Sequence, residues 1–245
     1  YDRHFAITEY FGIEMVNVPM LPTGPDMDIV EELVSKDEAI KAIWCVPKYS
    51  NPQGITYSDE TVRRFARLKP AAKDFRIYWD NAYGVHHLYD IDQDNLVEIM
   101  AECKRAGNPD MVYKFCSTSK ISFPGSGVAA IATSANNLVE IKKQMQIATI
   151  GHDKVNQLRH VRFFKDIYGM TEHMRKHAEI LRPKFEMIID KFEKELQGKD
   201  AGSWIAPKGG YFIAFEALEG CAKAIVAKAK KAGVTMTPAG APYPY

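Results

Sequence analysis

The chain has 245 residues, 46% hydrophobic and 26% charged, with 32 Lys+Arg against 31 Asp+Glu and a formal net charge of +1. That much apolar material builds a real core and excludes a disordered or fibrous chain. The near-neutral balance gives no electrostatic argument for a nucleic acid or an anionic membrane surface, and no run approaches the ~20 apolar residues of a membrane span.

Taken in chain order, short apolar runs alternate with amphipathic helical patterns through roughly the first 150 residues. Strands are predicted over 14–18, 42–46, 77–80, 112–116 and 128–133. They are continuous apolar, β-branched or aromatic runs, as expected of strands covered on both faces. Between them, Ser58 reads as an N-cap with Asp59 and Glu60 in the first turn. Asn95 with Glu98 resembles a capping box, and Gly107 is a helix stop. Leu138, Ile141, Met145 and Ala148 mark a further helical stripe. Beyond residue 150, Met174, Ala178, Leu181, Phe185, Ile188, Phe192 and Leu196 step by three or four residues along one long helix face. Pro183 sits inside that helix and is expected to kink or split it. After it come strand-like stretches at 204–206, 211–215 and 234–237, with a helix over 221–231 and Gly233 as its C-cap. The predicted fold is α/β: a mostly parallel sheet with helices on both faces, over 1–165, then a smaller α+β C-terminal domain joined by the long helix, over 166–245.

Three stretches, each at a predicted strand end, stand out together. They are Tyr49-Ser50-Asn51-Pro52-Gln53-Gly54, Trp79-Asp80-Asn81-Ala82-Tyr83 and Ser117-Thr118-Ser119-Lys120. Ligands of open parallel sheets bind beyond the carboxyl ends of the strands, so Asn51, Asp80, Tyr83 and Lys120 are expected at one edge. Singly, each stretch has a bland reading: a turn, a helix cap, a solvated lysine loop. Their joint order is much harder to obtain by accident.

The order Asn-Pro-x-Gly, Asp-x-Ala-Tyr, Ser-x-Ser-Lys resembles the fold-type-I pyridoxal-phosphate aminotransferases, the aspartate aminotransferase superfamily. Pro207-Lys208-Gly209-Gly210-Tyr211-Phe212 is similar to that family's small-domain turn. The run Trp44 to Pro52, together with Phe123-Pro124-Gly125-Ser126-Gly127, resembles a divergent bacterial aspartate aminotransferase branch. The resemblance implies pyridoxal 5'-phosphate as cofactor, a Schiff base on Lys120, and Lys120 as the base once freed. It implies Asp80 facing the pyridine nitrogen, where a cationic partner lowers an Asp pKa by roughly 1–3 units. Tyr83 and Asn51 would bond the ring's phenolic oxygen, Asn51 also the substrate carboxylate, and Ser117 and Ser119 the phosphate. It further implies a cytoplasmic homodimer acting on a small amino acid, aspartate or glutamate, and a 2-oxo acid, with no nucleic acid, membrane or metal. A cofactor-dependent β-lyase or an aminotransferase-like sensor domain of a regulator shares the same residues.

Departures carry information too. The superfamily's phosphate-binding arginine, eight residues after the lysine, is replaced by Val128. The family's N-terminal phosphate-binding helix start would lie upstream of Tyr1. Its substrate-carboxylate arginine would lie past Tyr245, beyond the turn Pro238-Ala239-Gly240-Ala241-Pro242. The sequence is therefore expected to be part of a longer chain, in keeping with a start that lacks Met.

Other motifs are read as structural. Gly125-Ser126-Gly127-Val128-Ala129-Ala130 matches a dinucleotide fingerprint, but a strand rather than a helix is predicted after it. His173 and His177 share a helix face without a third ligand and read as a solvated pair. His86 and His87 follow Tyr83 closely and could approach a bound ligand, but nothing in the spacing demands it, and they read as ordinary packing or surface residues. Cys45, Cys103, Cys116 and Cys221 are spaced for neither zinc nor disulfides, and each reads as a small buried hydrophobe in a reducing compartment.

Overall fold

A computed structural model describes residues 2–241. Helix α1 (Asp2–Tyr10) leads to a short antiparallel pair, β1 (Met20–Leu21) and β2 (Gly24–Pro25), and then to α2 (Met27–Lys36). The central unit follows as β3 (Ala42–Cys45), α3 (Asp59–Ala66), β4 (Arg76–Asp80), α4 (Ile99–Arg105), β5 (Val112–Ser117) and β6 (Ala129–Ala132). These strands make one sheet in the order β3-β4-β5-β6, parallel across the first three, with β6 antiparallel to β5. Two helices, α5 (Ala135–Ala148) and α6 (Lys154–Phe164), precede the long α7 (Ile167–Leu196). A two-stranded antiparallel pair, β7 (Gly202–Trp204) and β8 (Phe215–Ala217), and α8 (Ala222–Lys231) complete the described chain.

The core lies on one face of the sheet. There Cys45, Ile77, Trp79 and Val112 meet Met27, Val30 and Val34 of α2, Val62 and Phe65 of α3, and Ile99 and Cys103 of α4. Phe65 and Trp79 are fully buried, edge to face with ring centroids 5.8 Å apart. Full burial of a side chain of this size contributes about 1.5–3 kcal/mol. Helices enter the other face at its margins: His4 of α1 lies 4.2 Å from the Trp44 ring, and Asn137 of α5 bonds Arg76. Between them Trp44, Tyr78 and Phe115 form a near-parallel aromatic stack, with Trp44 still 38% exposed. The strands thus alternate, Ile77 and Trp79 in the core and Tyr78 and Asp80 towards the second face. Helices thus lie on both faces of the sheet, as expected from the sequence, with the main apolar core on one of them.

Helix starts are set by side-chain caps. Asp26, Ser58, Glu98, Ser134, Asp153 and Asp166 each accept a backbone N–H of the first turn, worth about 1 kcal/mol apiece. Several predicted elements shift. The run at 14–18 is not a strand among the described residues: Glu14, Val16 and Asn17 are exposed, and Val18 packs against the edge of the core. The Asn95 start moves to Glu98, which itself caps α4. The late strands occupy 202–204 and 215–217, and 234–237 is irregular. Pro183 leaves α7 unsplit, since a single missing N–H in thirty residues is outweighed by the packing of Met174, Ala178 and Phe185. Cys116 and Cys221 are exposed, unlike the buried Cys45 and Cys103. The fingerprint-like glycine run does lead into a strand, β6. The turn beginning at Pro238 is described only to Ala241, and Pro242 lies outside the described residues.

The Lys208-Gly209-Gly210 turn is docked against the central unit. Leu88 N–H donates to Lys208 O at 2.9 Å and Gly210 N–H to His86 O at 2.8 Å. A Cβ on Gly209 would stand 2.3 Å from the Tyr49 ring and 2.4 Å from His86 O, both immovable neighbours. Gly209→Ala is therefore expected to destabilise the protein by about 1–3 kcal/mol, read as a lower urea midpoint. Gly151→Ala, where a Cβ meets nothing within 4 Å, should stay within about 0.5 kcal/mol of the parent.

Candidate active site

The parallel pairing of β3, β4 and β5 decides what meets at the carboxyl edge of the sheet. Cys45 pairs with Trp79 and Asp80 with Phe115, so the chain after Cys45, Asp80 itself and Ser117 all emerge at the same end. Asn81 N–H then bonds Phe115 O at 2.9 Å, holding the first residue beyond β4 against β5. The three stretches singled out in the sequence thus leave the sheet at the same edge.

Lys120 lies in the turn that follows β5, partly buried, with Nζ 4.6 Å from the centroid of the Tyr83 ring. A cation over an aromatic face is attracted by the ring quadrupole. Tyr83 is fully buried, packed edge-on by His86, Tyr211 and Phe212 at 5.7–6.1 Å. Two groups fix the backbone of the lysine: Tyr211 Oη–H donates to Lys120 O at 3.1 Å, and His86 Nε2 lies 3.1 Å from the same oxygen. Because a carbonyl only accepts, His86 carries its proton on Nε2. Burial pushes its pKa down to about 4, so the ring is neutral near pH 7.

Asp80 ends β4. Its Oδ1 accepts from Ala82 N–H at 3.0 Å. Burial raises its pKa above the ordinary carboxylate value, against the lowering pull of Lys120, the Ala82 N–H and Trp44. Lys120 pulls towards the ionised form, but with no ring cation beside the carboxyl desolvation is the larger effect.

The hydroxyls of Ser117 and Ser119 lie 2.8 Å apart, and Ser119 N–H donates to Ser117 Oγ at 3.1 Å. Gly127 is pressed onto them, since a Cβ there would stand 2.6 Å from Ser119 Oγ. Val128, in the place of the superfamily arginine, is tied to Thr118: Thr118 N–H donates to Val128 O at 2.9 Å, and Val128 N–H to Thr118 Oγ1 at 2.8 Å.

Asn51 is partly buried beside Ser50, whose buried hydroxyl has no hydrogen-bond partner among the described residues. Tyr49, just before it, adopts a left-handed φ of 48° and is fully buried. Its hydroxyl lies 2.8 Å from His87 Nδ1 and accepts from Asp94 N–H at 3.2 Å. Several residues here carry no site signal in the sequence, notably Trp44, Thr118, Asn156, His160 and Tyr211. Tyr211 stands in a recognisable motif without a role of its own. Neither His173 nor His177 is a solvated surface residue: both are half-buried, and His173 Nε2 lies 2.8 Å from Ile121 O.

The layout is that of an α/β protein with a lysine, a carboxylate and a hydroxyl pair at the carboxyl edge of a parallel sheet. The chain belongs to the aspartate amino-transferase family, whose model matches residues 1–245. It is 45% identical over 244 residues to the aspartate aminotransferase of Corynebacterium glutamicum, covering 100% of this chain and 56% of that one. A solved aspartate transaminase from the same species superposes with a TM-score of 0.94 at 45% identity, over 100% of this chain and 57% of that one. The α-aminoadipate aminotransferase LysN of Thermus thermophilus, solved with N-(5'-phosphopyridoxyl)-L-leucine, shares the fold with a TM-score of 0.80 at 22% identity, over 98% of this chain and 60% of that one. This chain spans little more than half the length of the curated relatives it matches, 57% and 56%.

Family membership implies pyridoxal 5'-phosphate, and the residues present suit that group. The half-buried carboxylate of Asp80 provides for a ring cation and the amine of Lys120 for an aldehyde. The paired hydroxyls of Ser117 and Ser119 provide donors for a phosphate, with Gly127 leaving no Cβ beside them.

Proposed function

We propose that this chain is the catalytic part of a pyridoxal-phosphate-dependent aminotransferase that moves an amino group between aspartate or glutamate and a 2-oxo acid. The observation that carries the reading is the meeting of Lys120, against the Tyr83 ring, with the half-buried Asp80 at neighbouring strand ends. The identity of 45% to an aspartate aminotransferase supports the substrate class.

Bound at this edge, the cofactor supplies an electron-withdrawing ring that accepts the electron pair of a broken Cα–H bond. Lys120 would hold it covalently through Nζ, and the same Nζ, once released, would take the proton from the substrate Cα and deliver it to the former aldehyde carbon of the cofactor. The Asp80 carboxylate would hold the proton on the ring nitrogen. Tyr83 and Asn51 would donate to the ring's phenolic oxygen, and Asn51 also to the substrate carboxylate. Ser117 and Ser119 would donate to the phosphate. The ring cluster around Tyr83 excludes water on that side of Lys120. In the same reading α7 joins a cofactor-binding domain, 1–165, to a smaller domain, 166–245, and the protein works as a cytoplasmic homodimer.

The test is stoichiometry. Full-length protein given aspartate and 2-oxoglutarate is expected to form oxaloacetate and glutamate in equal amounts. Oxo-acid release that needs no amino acceptor would mark a β-lyase instead, and bound cofactor without turnover would mark a sensor.

A further inference from the structure

The segment 118–127, which carries Lys120, is held from below by α6 and α7 through side chains with no role in the proposed chemistry. Asn156 of α6 donates from Nδ2 to Ser126 O at 2.7 Å and to Gly127 O at 3.3 Å. One turn later, His160 places Nε2 2.7 Å from Ser122 Oγ and 3.0 Å from Thr118 Oγ1. Its Nδ1 lies 2.9 Å from Asn156 O. That carbonyl can only accept, so the proton of a neutral ring sits on Nδ1 and Nε2 presents a lone pair. The Thr118 hydroxyl already accepts from Val128 N–H, which leaves its own proton to donate to the single Nε2 lone pair, shared with the closer Ser122 hydroxyl.

This chain of bonds leads to the position where the arginine is missing. His160 holds the Thr118 hydroxyl, that hydroxyl holds Val128 N–H, and Thr118 lies between the two serines of the phosphate-facing pair. Asn156 meanwhile fixes Gly127, which is in contact with Ser119. We infer that His160, seconded by Asn156, is a positioning residue: its hydrogen bonds to Thr118 and Ser122 align the Ser119 hydroxyl and Lys120 for the cofactor, a task that an arginine at position 128 would perform by direct charge. The inference rests on the proposed roles of Lys120 and the serine pair.

The experiment uses the full-length protein loaded with pyridoxal phosphate. His160→Phe keeps a ring and removes both nitrogens, whereas His160→Gln keeps a polar group of similar reach. Three quantities are read: cofactor dissociation rate, the pH at which the bound chromophore's visible absorbance titrates, and melting of the cofactor-free protein. His160→Phe is expected to release cofactor about tenfold faster, the loss expected of one or two hydrogen bonds, and to displace the absorbance titration. His160→Gln should stay within about threefold of the parent rate. Parent-like release and titration in the phenylalanine variant would overturn the inference. So would equal impairment of both variants in step with a lowered melting temperature, the mark of a purely structural residue. If His160→Phe does not fold, Thr118→Val breaks the same bond from the other end, and the same acceleration is expected. Borohydride reduction of the unmodified protein separates the two failures: an adduct away from Lys120 defeats the proposed function, whereas an adduct on Lys120 with an inert His160 defeats only this inference.

Discussion

Lys120→Ala in the full-length protein is expected to lower kcat/KM for amino transfer by about 10⁴-fold or more, and to leave no borohydride-fixed adduct. The size reflects two roles lost at one atom, covalent hold on the cofactor and proton transfer at Cα. Lys120→Arg separates those roles from charge. It keeps a cation beside Tyr83 and Asp80, but a guanidinium neither loses its proton at working pH nor attaches an aldehyde. Both variants should therefore be inactive in a steady-state assay with aspartate and 2-oxoglutarate. An arginine variant retaining a tenth of the parent rate would mean that Lys120 contributes charge alone. The alanine variant has a second signature. Lys120 lowers the pKa of Asp80, so its removal lets burial push that carboxyl further up.

The site is more legible in the sequence than the surrounding helices, for a physical reason. Asn51, Asp80, Tyr83 and Lys120 follow the ends of three strands, each a short apolar run bounded by turn residues. A parallel sheet then brings their ends together without further information. Helix α2 escapes the sequence reading although Asp26 caps it and Met27, Val30 and Val34 supply its buried stripe, and the run at 14–18 is read as a strand and is not one. That run has suitable composition but forms no strand among the described residues, and composition alone does not make a strand. Helix α6 escapes as well: its buried residue is a polar one, Asn156, so apolar periodicity is silent there. The same holds for His160 and His173, whose contacts reach segments some forty to fifty residues away in sequence. Long-range polar contacts of this kind leave no local spacing to read. The raised pKa of Asp80 is hidden likewise, since the sequence shows the neighbouring charge but not the depth of burial.

That burial makes Asp80→Asn the more discriminating substitution, because its two effects have opposite signs. In the cofactor-free protein the folded pKa of Asp80 is raised, chiefly by burial. A raised carboxyl stabilises most below its ordinary pKa, and stability falls as pH rises through the folded value, where the buried group must ionise. Asp80 therefore works against the cofactor-free fold at neutral pH. Asparagine keeps an oxygen for the Ala82 N–H and carries no charge, so the cofactor-free variant should melt above the parent at pH 7. The gap should close as the pH drops below the carboxylate range, where the parent is protonated too. Catalysis is expected to move the other way. Without a negative charge at this strand end the ring-nitrogen proton is no longer held, and loss of one such electrostatic partner costs about 10²–10³-fold in kcat. Differential scanning calorimetry across pH and single-turnover kinetics read the two effects separately. A variant that melts higher yet turns over at the parent rate would remove Asp80 from the proposed role while leaving the account of its burial intact. One that melts lower at pH 7 would overturn that account. A charge buried for chemistry rather than for the fold produces the expected pairing, a variant more stable and less active than its parent.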